Sequence, residues 1–186
     1  MEIIKLVVAA LTPLSVALIG VMLTLSTRRF ERSHWLNQKL VEKRIQLLSE
    51  ALPRLNDLYS YFYFVGDWAV FSPSTMLRNK RELDRLFYGY QAFFTSTAVA
   101  EYKNFMDTLF TTYVAPESDA RLRTSNSSRH GTRSNVYPGK WEAAWDLMFV
   151  DEADQSDFDL IKERYHKLLS CLGSEVGITT SEKSKK

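Results

Sequence analysis

The chain has 186 residues, of which 45% are hydrophobic, and its 24 basic and 22 acidic residues leave a formal net charge of +2. This length suits one domain with a sizeable core, and the near balance of charge excludes a strong overall attraction to nucleic acid or acidic ligands. The seven glycines and five prolines argue against an all-β fold built on tight turns, and the single cysteine excludes an internal disulfide.

The N-terminal segment from Leu6 to Leu25 contains twenty residues and no charge. A helix of that length spans about 30 Å, the thickness of the hydrocarbon core of a bilayer. A signal peptide would have a shorter apolar region and a cleavage site of small residues, whereas this segment runs into basic residues. We therefore predict a retained transmembrane helix over residues 1–27, with a cleaved signal or a buried core helix as the alternatives.

The basic residues around this segment predict its orientation. One lysine, Lys5, precedes the segment, and Arg28, Arg29, Arg32 and Lys39 follow it. By the positive-inside rule, the C-terminal part of the chain then lies in the cytoplasm, and the protein is a single-pass protein of the inner membrane.

Small residues recur at spacings of three and four along the predicted span, which places them on one face of a helix. Small side chains let helices approach closely in lipid, so this face is a candidate contact between copies, although a chance composition is the alternative. One helix cannot enclose a pore, so conduction would require a homo-oligomer. The face consists of Ala10, Pro13, Ala17, Gly20 and Thr24.

Residues 28–173 show the apolar periodicity of a helical bundle, so the predicted fold class is all-α. Ser72 and Ser156 are predicted helix caps, and Pro53 and Gly173 are predicted helix boundaries. The second predicted helix carries seven aromatic residues and no basic ones, which favours core packing over base stacking. The predicted helices cover Phe30–Leu52, Leu55–Phe71, Met76–Phe94, Thr97–Val114, a short segment at Trp141–Phe149, and Ser156–Leu172.

Two segments lack this periodicity. Residues 115–140 are rich in serine and basic in their second half, which predicts a long solvated loop that could also contact phosphates. Residues 174–186 predict a disordered tail. The basic residues of the loop are Arg121, Arg123, Arg129, Arg133 and Lys140.

Recognisable catalytic motifs are missing from the sequence. Residues 151–154 spell Asp-Glu-Ala-Asp, but no phosphate-binding glycine loop accompanies them, so we interpret the acidic run as helix capping. The sequence contains no His/Cys cluster of the kind that binds zinc, and it lacks the G-x-S-x-G motif of hydrolases. We expect no metal and no cofactor.

One pattern points to RNA chemistry. An arginine followed after four to six residues by a histidine occurs at Arg28 and Arg29 with His34, and again at Arg123 with His130. In RNA-cleaving HEPN domains, this spacing brings a phosphate-binding cation next to a general acid/base. Because one match lies at the membrane flank and the other in the predicted loop, we assign no catalytic residue.

An uncharged span, a basic flank and a compact helical domain with an Arg…His signal together resemble a known family. The chain is similar in architecture and length to the membrane accessory protein encoded beside the RNA-guided effector of type VI-B CRISPR loci. The resemblance implies a divergent HEPN-like domain, assembly into a membrane pore, and a role in enhancing antiviral defence. The implied partners are the lipid bilayer, further copies of the chain, and the CRISPR effector or its RNA products.

Three functional hypotheses follow. The leading one is a non-enzymatic pore that depolarises the inner membrane, its opening lined by the small face of the span and by Arg28, Arg29 and Arg32. The second is a membrane-tethered HEPN-type ribonuclease that uses His34 or His130. The third is a membrane-anchored helical scaffold that recruits a cytoplasmic partner through residues 121–140.

Overall fold

A computed structural model describes residues 2–112, 119–128 and 131–178, with the side chains of residues 2–20, 25, 28–30, 32, 33 and 128 outside the description. The chain divides into two compact units, Met1–Glu42 and Lys43–Lys186. Helices dominate the described residues, which confirms the predicted all-α class. The elements are α1 (Glu2–Tyr63), α2 (Pro73–Gly89), α3 (Ser96–Leu109), β1 (Phe110–Thr111), β2 (Arg121–Leu122), β3 (Ser127–Ser128), β4 (Gly131–Thr132), α4 (Arg133–Val136) and α5 (Phe158–Glu175). Short 3-10 helices cover Trp68–Val70, Gln91–Phe93, Ala143–Met148 and Glu152–Asp154.

Helix α1 passes through Pro53, so the predicted helix boundary there is wrong. A proline removes one backbone hydrogen bond, but Ala51, Leu55 and Leu58 on either side of it are fully buried on one face. The packing of that face outweighs the lost bond. The helix ends instead at Tyr63, because Phe64 adopts a positive φ of 56°.

Helices α2 and α3 begin at hydroxyl caps. The Ser72 hydroxyl accepts a hydrogen bond from the backbone N–H of Thr75 at 3.1 Å, and Pro73 occupies the first turn, where its missing N–H costs nothing. The Thr95 hydroxyl accepts from the backbone N–H of Ala98 at 3.2 Å. The predicted cap at Ser72 is thereby confirmed.

Helix α5 differs from its prediction at both ends. Its cap is Asp157, whose carboxylate accepts from the backbone N–H groups of Asp159 and Leu160, while the Ser156 hydroxyl donates to the carbonyl of Thr108. The helix continues past Gly173 to Glu175, which is buried. The predicted start of a disordered tail at residue 174 is therefore wrong, and residues 179–186 lie outside the described part.

The segment predicted to be one long solvated loop forms short antiparallel strand pairs where it is described. Strand β2 pairs with β1, and β3 pairs with β4. The loop prediction is wrong for these residues because backbone pairing and buried side chains order them. Residues 113–118, 129 and 130 lie outside the described part.

The core of the second unit is formed by apolar faces of α1, α2, α3 and α5. The most deeply buried side chains are aromatic and aliphatic, and the predicted core role of the aromatic run is confirmed at Tyr61 and Phe62. Other members of this core are Leu83, Phe87, Tyr102, Phe105, Leu109, Phe110, Leu122 and Leu168.

Candidate functional site

The residues predicted to line a pore all lie on α1. The helix contains all eight of them: Ala10, Pro13, Ala17, Gly20, Thr24, Arg28, Arg29 and Arg32. The side chain of Thr24 is exposed, and the side chains of the other seven lie outside the described residues.

Among the described residues, no helix combines the length and the apolar character that crossing a membrane requires.

Large apolar side chains are exposed on α1 from residue 21 onward. Val21, Met22 and Leu23 are 59%, 64% and 63% exposed, and Trp35 and Leu36 further along the helix are also more than half exposed. Contiguous apolar side chains in contact with water are typical of surfaces that contact a partner or a lipid phase. This stretch of the first unit is therefore a candidate contact surface.

The basic residues of the 115–140 segment bind the protein's own backbone. Arg121 donates to the carbonyl of Phe149, and Arg123 donates to the carbonyls of Asp154 at 3.0 Å and Asp107 at 3.4 Å. These contacts hold the segment against the residues that precede α5 and against the end of α3. The described residues of this segment therefore do not form a uniformly solvated basic loop.

Arg133 differs most from the prediction of a solvated loop, because only 2% of its surface is exposed to solvent. Its Nε donates to the carbonyl of Ser125 at 2.9 Å, and its Nη2 donates to the carbonyl of Tyr61 at 3.0 Å and to the Thr124 hydroxyl at 3.2 Å. The contact with Tyr61 joins residues 72 positions apart at the end of α1.

Aromatic rings surround the Arg133 guanidinium. Its central carbon lies 3.8 Å from the Tyr61 ring centroid and 4.0 Å from that of Phe64, with Trp68 at 5.4 Å and Phe149 at 5.9 Å. Ring faces carry negative partial charge and attract a cation, more strongly when water is excluded. The positive φ of Phe64 is costly for a bulky residue and is maintained in this packed cluster.

Arg133 forms no ion pair with any carboxylate in the described ranges, and its Nη1 and the Tyr61 hydroxyl are buried without hydrogen-bond partners there. Burial lowers the pKa of Arg133 to about 10 and raises the pKa of Tyr61 to about 12. Neither group changes its charge near neutral pH. The arrangement is a structural clasp between residues 121–136 and α1, and it offers no group for proton transfer.

A polar cleft lies where α3, the residues after β2 and the start of α5 meet. It has a volume of about 260 Å³. Two half-buried arginines, Arg123 and Arg164, contribute its positive charge. The remaining lining side chains are Asn104, Asp107, Thr108, Gln155, Ser156, Asp157 and Leu160.

The histidines do not form a described catalytic pair. His34 lies on an exposed part of α1, and His130 lies outside the described residues. Arg123, the predicted partner of His130, is held by two backbone carbonyls. Within residues 2–112, 119–128 and 131–178, no group of three His, Cys, Asp or Glu side chains is arranged to bind a metal.

Neither the Arg133 clasp nor the cleft is predicted from the sequence. The aromatic run of α1 contains no basic residue, so its cation comes from a distant segment that looks like an ordinary polar loop. The cleft likewise depends on residues from three separate elements.

Comparisons with family models, with curated proteins and with solved structures find no match to this chain.

Proposed function

We propose that the chain is a non-enzymatic defence protein, anchored in the inner membrane by its N-terminal helix and assembled as a homo-oligomer around an opening. The observation that carries the proposal is the uncharged segment Leu6–Leu25 within the unbroken helix Glu2–Tyr63. A twenty-residue uncharged helix gains free energy in lipid because each buried methylene contributes about 0.8 kcal/mol.

Exposed side chains at the end of this segment support the anchor. Val21, Met22 and Leu23 are each more than half exposed in the single chain. Fully burying side chains of this size contributes about 1.5–3 kcal/mol each, so lipid or a neighbouring helix would stabilise them. The arginines that follow at 28, 29 and 32 would hold this end of the helix at the cytoplasmic surface.

The proposed opening requires several copies of the chain. A lone helix encloses no opening, whereas several copies in contact through Ala10, Pro13, Ala17, Gly20 and Thr24 could surround one. The resemblance to the type VI-B CRISPR accessory proteins supplies the biological role, in which the opening depolarises the membrane when the RNA-guided effector is activated. The effector or its RNA products would be the trigger.

The anchor is tested by carbonate extraction of cell membranes. The wild-type chain is expected in the membrane pellet, and Leu18→Arg is expected in the supernatant, because an arginine at the bilayer centre costs about 2.5–3.5 kcal/mol. Leu36→Arg is the matched control, since it introduces the same charge at an exposed position outside the span, and it should stay in the pellet. A wild-type chain in the supernatant would contradict the proposal.

The pore is tested separately with a potential-sensitive dye. Cells that carry the chain and an activated type VI-B effector should lose membrane potential, and cells that carry Leu18→Arg should keep it. Unchanged polarisation with the wild-type chain, despite its presence in the membrane, would reject the pore and leave the anchor intact.

A further inference from the structure

We propose that the cleft between Arg123 and Arg164 binds a phosphate group of a small ligand through both guanidinium groups. The cleft lies in the second unit and has a volume of about 260 Å³, which suits a phosphate monoester better than a larger cofactor. This inference is independent of the proposed membrane function.

Arg123 is fixed in position before any ligand arrives. Its Nε and Nη1 donate to the carbonyls of Asp154 and Asp107. Its own backbone is also held, because its N–H donates to the Leu109 carbonyl at 2.8 Å and its carbonyl accepts from the Ser156 N–H at 3.0 Å. A guanidinium has five N–H donors, so these contacts leave others for a ligand.

Arg164 lies on α5, two turns after the Asp157 cap, and its side chain lines the same cleft. In the described ranges it makes no hydrogen bond and no ion pair, although its charge contributes to lowering the pKa of Glu101. A half-buried arginine with unused hydrogen-bond donors is stabilised when it binds an anion. Two planar guanidiniums match the geometry of phosphate oxygens, which they bind through paired hydrogen bonds.

The carboxylates of the cleft are already engaged. Asp107 forms an ion pair with Lys103, and Asp157 accepts the backbone N–H groups at the start of α5. The Asn104 and Gln155 side chains add neutral amide donors to the lining. The Asp157 carboxylate keeps its negative charge, so the two arginines and Lys103 together face two carboxylates. The one positive charge that remains favours an anion over a cation.

The test is titration of the full chain in detergent with inorganic phosphate at constant ionic strength, followed by calorimetry. Arg164→Gln should weaken binding about tenfold or more, because it removes a charged donor pair. Arg85→Gln, which removes the same charge from an exposed position on α2, should leave the affinity unchanged. Thermal melting of each variant checks that the fold is retained.

Two further ligands identify the source of the phosphate. Glycerol 3-phosphate represents a lipid headgroup and adenosine 5′-monophosphate represents a nucleotide, and tighter binding of either one with loss in Arg164→Gln supports the site. Arg123→Lys keeps the charge but loses the planar fork, so it should also weaken binding. Absence of phosphate binding, or equal weakening in Arg164→Gln and Arg85→Gln, would overturn the proposal.

Discussion

Arg44 and Glu175, separated by 131 positions in the chain, form an ion pair with Nη2 and Oε2 3.1 Å apart. Arg44 also donates from Nε to the carbonyl of Phe93 at 2.6 Å and from Nη1 to the carbonyl of Glu175 at 3.0 Å. The Glu175 carboxylate accepts the N–H of Thr95, the cap of α3, at 2.9 Å. This one cluster joins α1, α5 and the start of α3.

Breaking the Arg44–Glu175 cluster should destabilise the second unit. Arg44→Met leaves the carboxylate of Glu175, which is 2% exposed, without its cation, at a cost of about 3 kcal/mol. Glu175→Gln should cost less, because an amide still accepts from Thr95. In a double-mutant cycle followed by urea unfolding, the combined change should be smaller than the sum of the two single changes. Strict additivity would show that the two residues act independently.

Replacing Arg133 tests whether the aromatic clasp holds residues 121–136. Arg133→Met preserves most of the side-chain volume but leaves the carbonyls of Ser125 and Tyr61 unpaired, which we expect to cost about 3 kcal/mol. For a chain of this size, that lowers the Tm by about 6–12 °C. Arg85→Met, at an exposed position, should change stability by less than about 0.5 kcal/mol. Equal melting temperatures for the two variants would argue against a stabilising role of the clasp.

The Glu101–Lys167 pair predicts a dependence of stability on acid. A hydrogen bond from Lys167, with Oε1 and Nζ 2.9 Å apart, lowers the pKa of Glu101 below its ordinary value of 4.5. The ionised carboxylate therefore stabilises the fold above that value, and the contribution is lost as the pH falls through the lowered pKa. Because Lys167 is half exposed, Glu101→Gln should lower the Tm by about 1–3 °C at pH 7. The difference should shrink toward pH 3, and a difference that grows in acid would contradict this assignment.

Enlarging the small face of the predicted span should weaken assembly. Gly20→Leu places a bulky side chain where two helices are proposed to approach, so cross-linking of copies in isolated membranes should fall severalfold. Leu18→Phe is the control, because it enlarges a side chain outside the small face and should leave cross-linking unchanged. Similar losses in both variants would remove the small face as the contact.

Local signals in the sequence predicted the helices but not how they end. The apolar periodicity of α2, α3 and α5 and the cap at Ser72 depend on near neighbours, which a sequence displays directly. The boundaries at Pro53, Ser156 and Gly173 were wrong because tertiary contacts decide them. Glu175, for example, extends α5 beyond Gly173 to reach Arg44.

The burial of Arg133 and the meeting of Arg123 with Arg164 could not be predicted from the sequence for a similar reason. Arg133 lies in a serine-rich segment whose composition is typical of solvated loops, yet its partners Tyr61 and Phe64 belong to a distant helix end. Arg123 and Arg164 meet at one cleft although nothing in their spacing connects them. Contacts of this kind become visible only when the helices are packed.

We propose that the chain is held in lipid by its N-terminal helix and works there as several copies. The mass of the particle extracted from membranes with mild detergent, measured by light scattering with the detergent contribution subtracted, tests both parts at once. We predict a membrane-derived particle whose protein mass is a whole multiple of 21.5 kDa and includes several copies. A particle containing a single chain would contradict it.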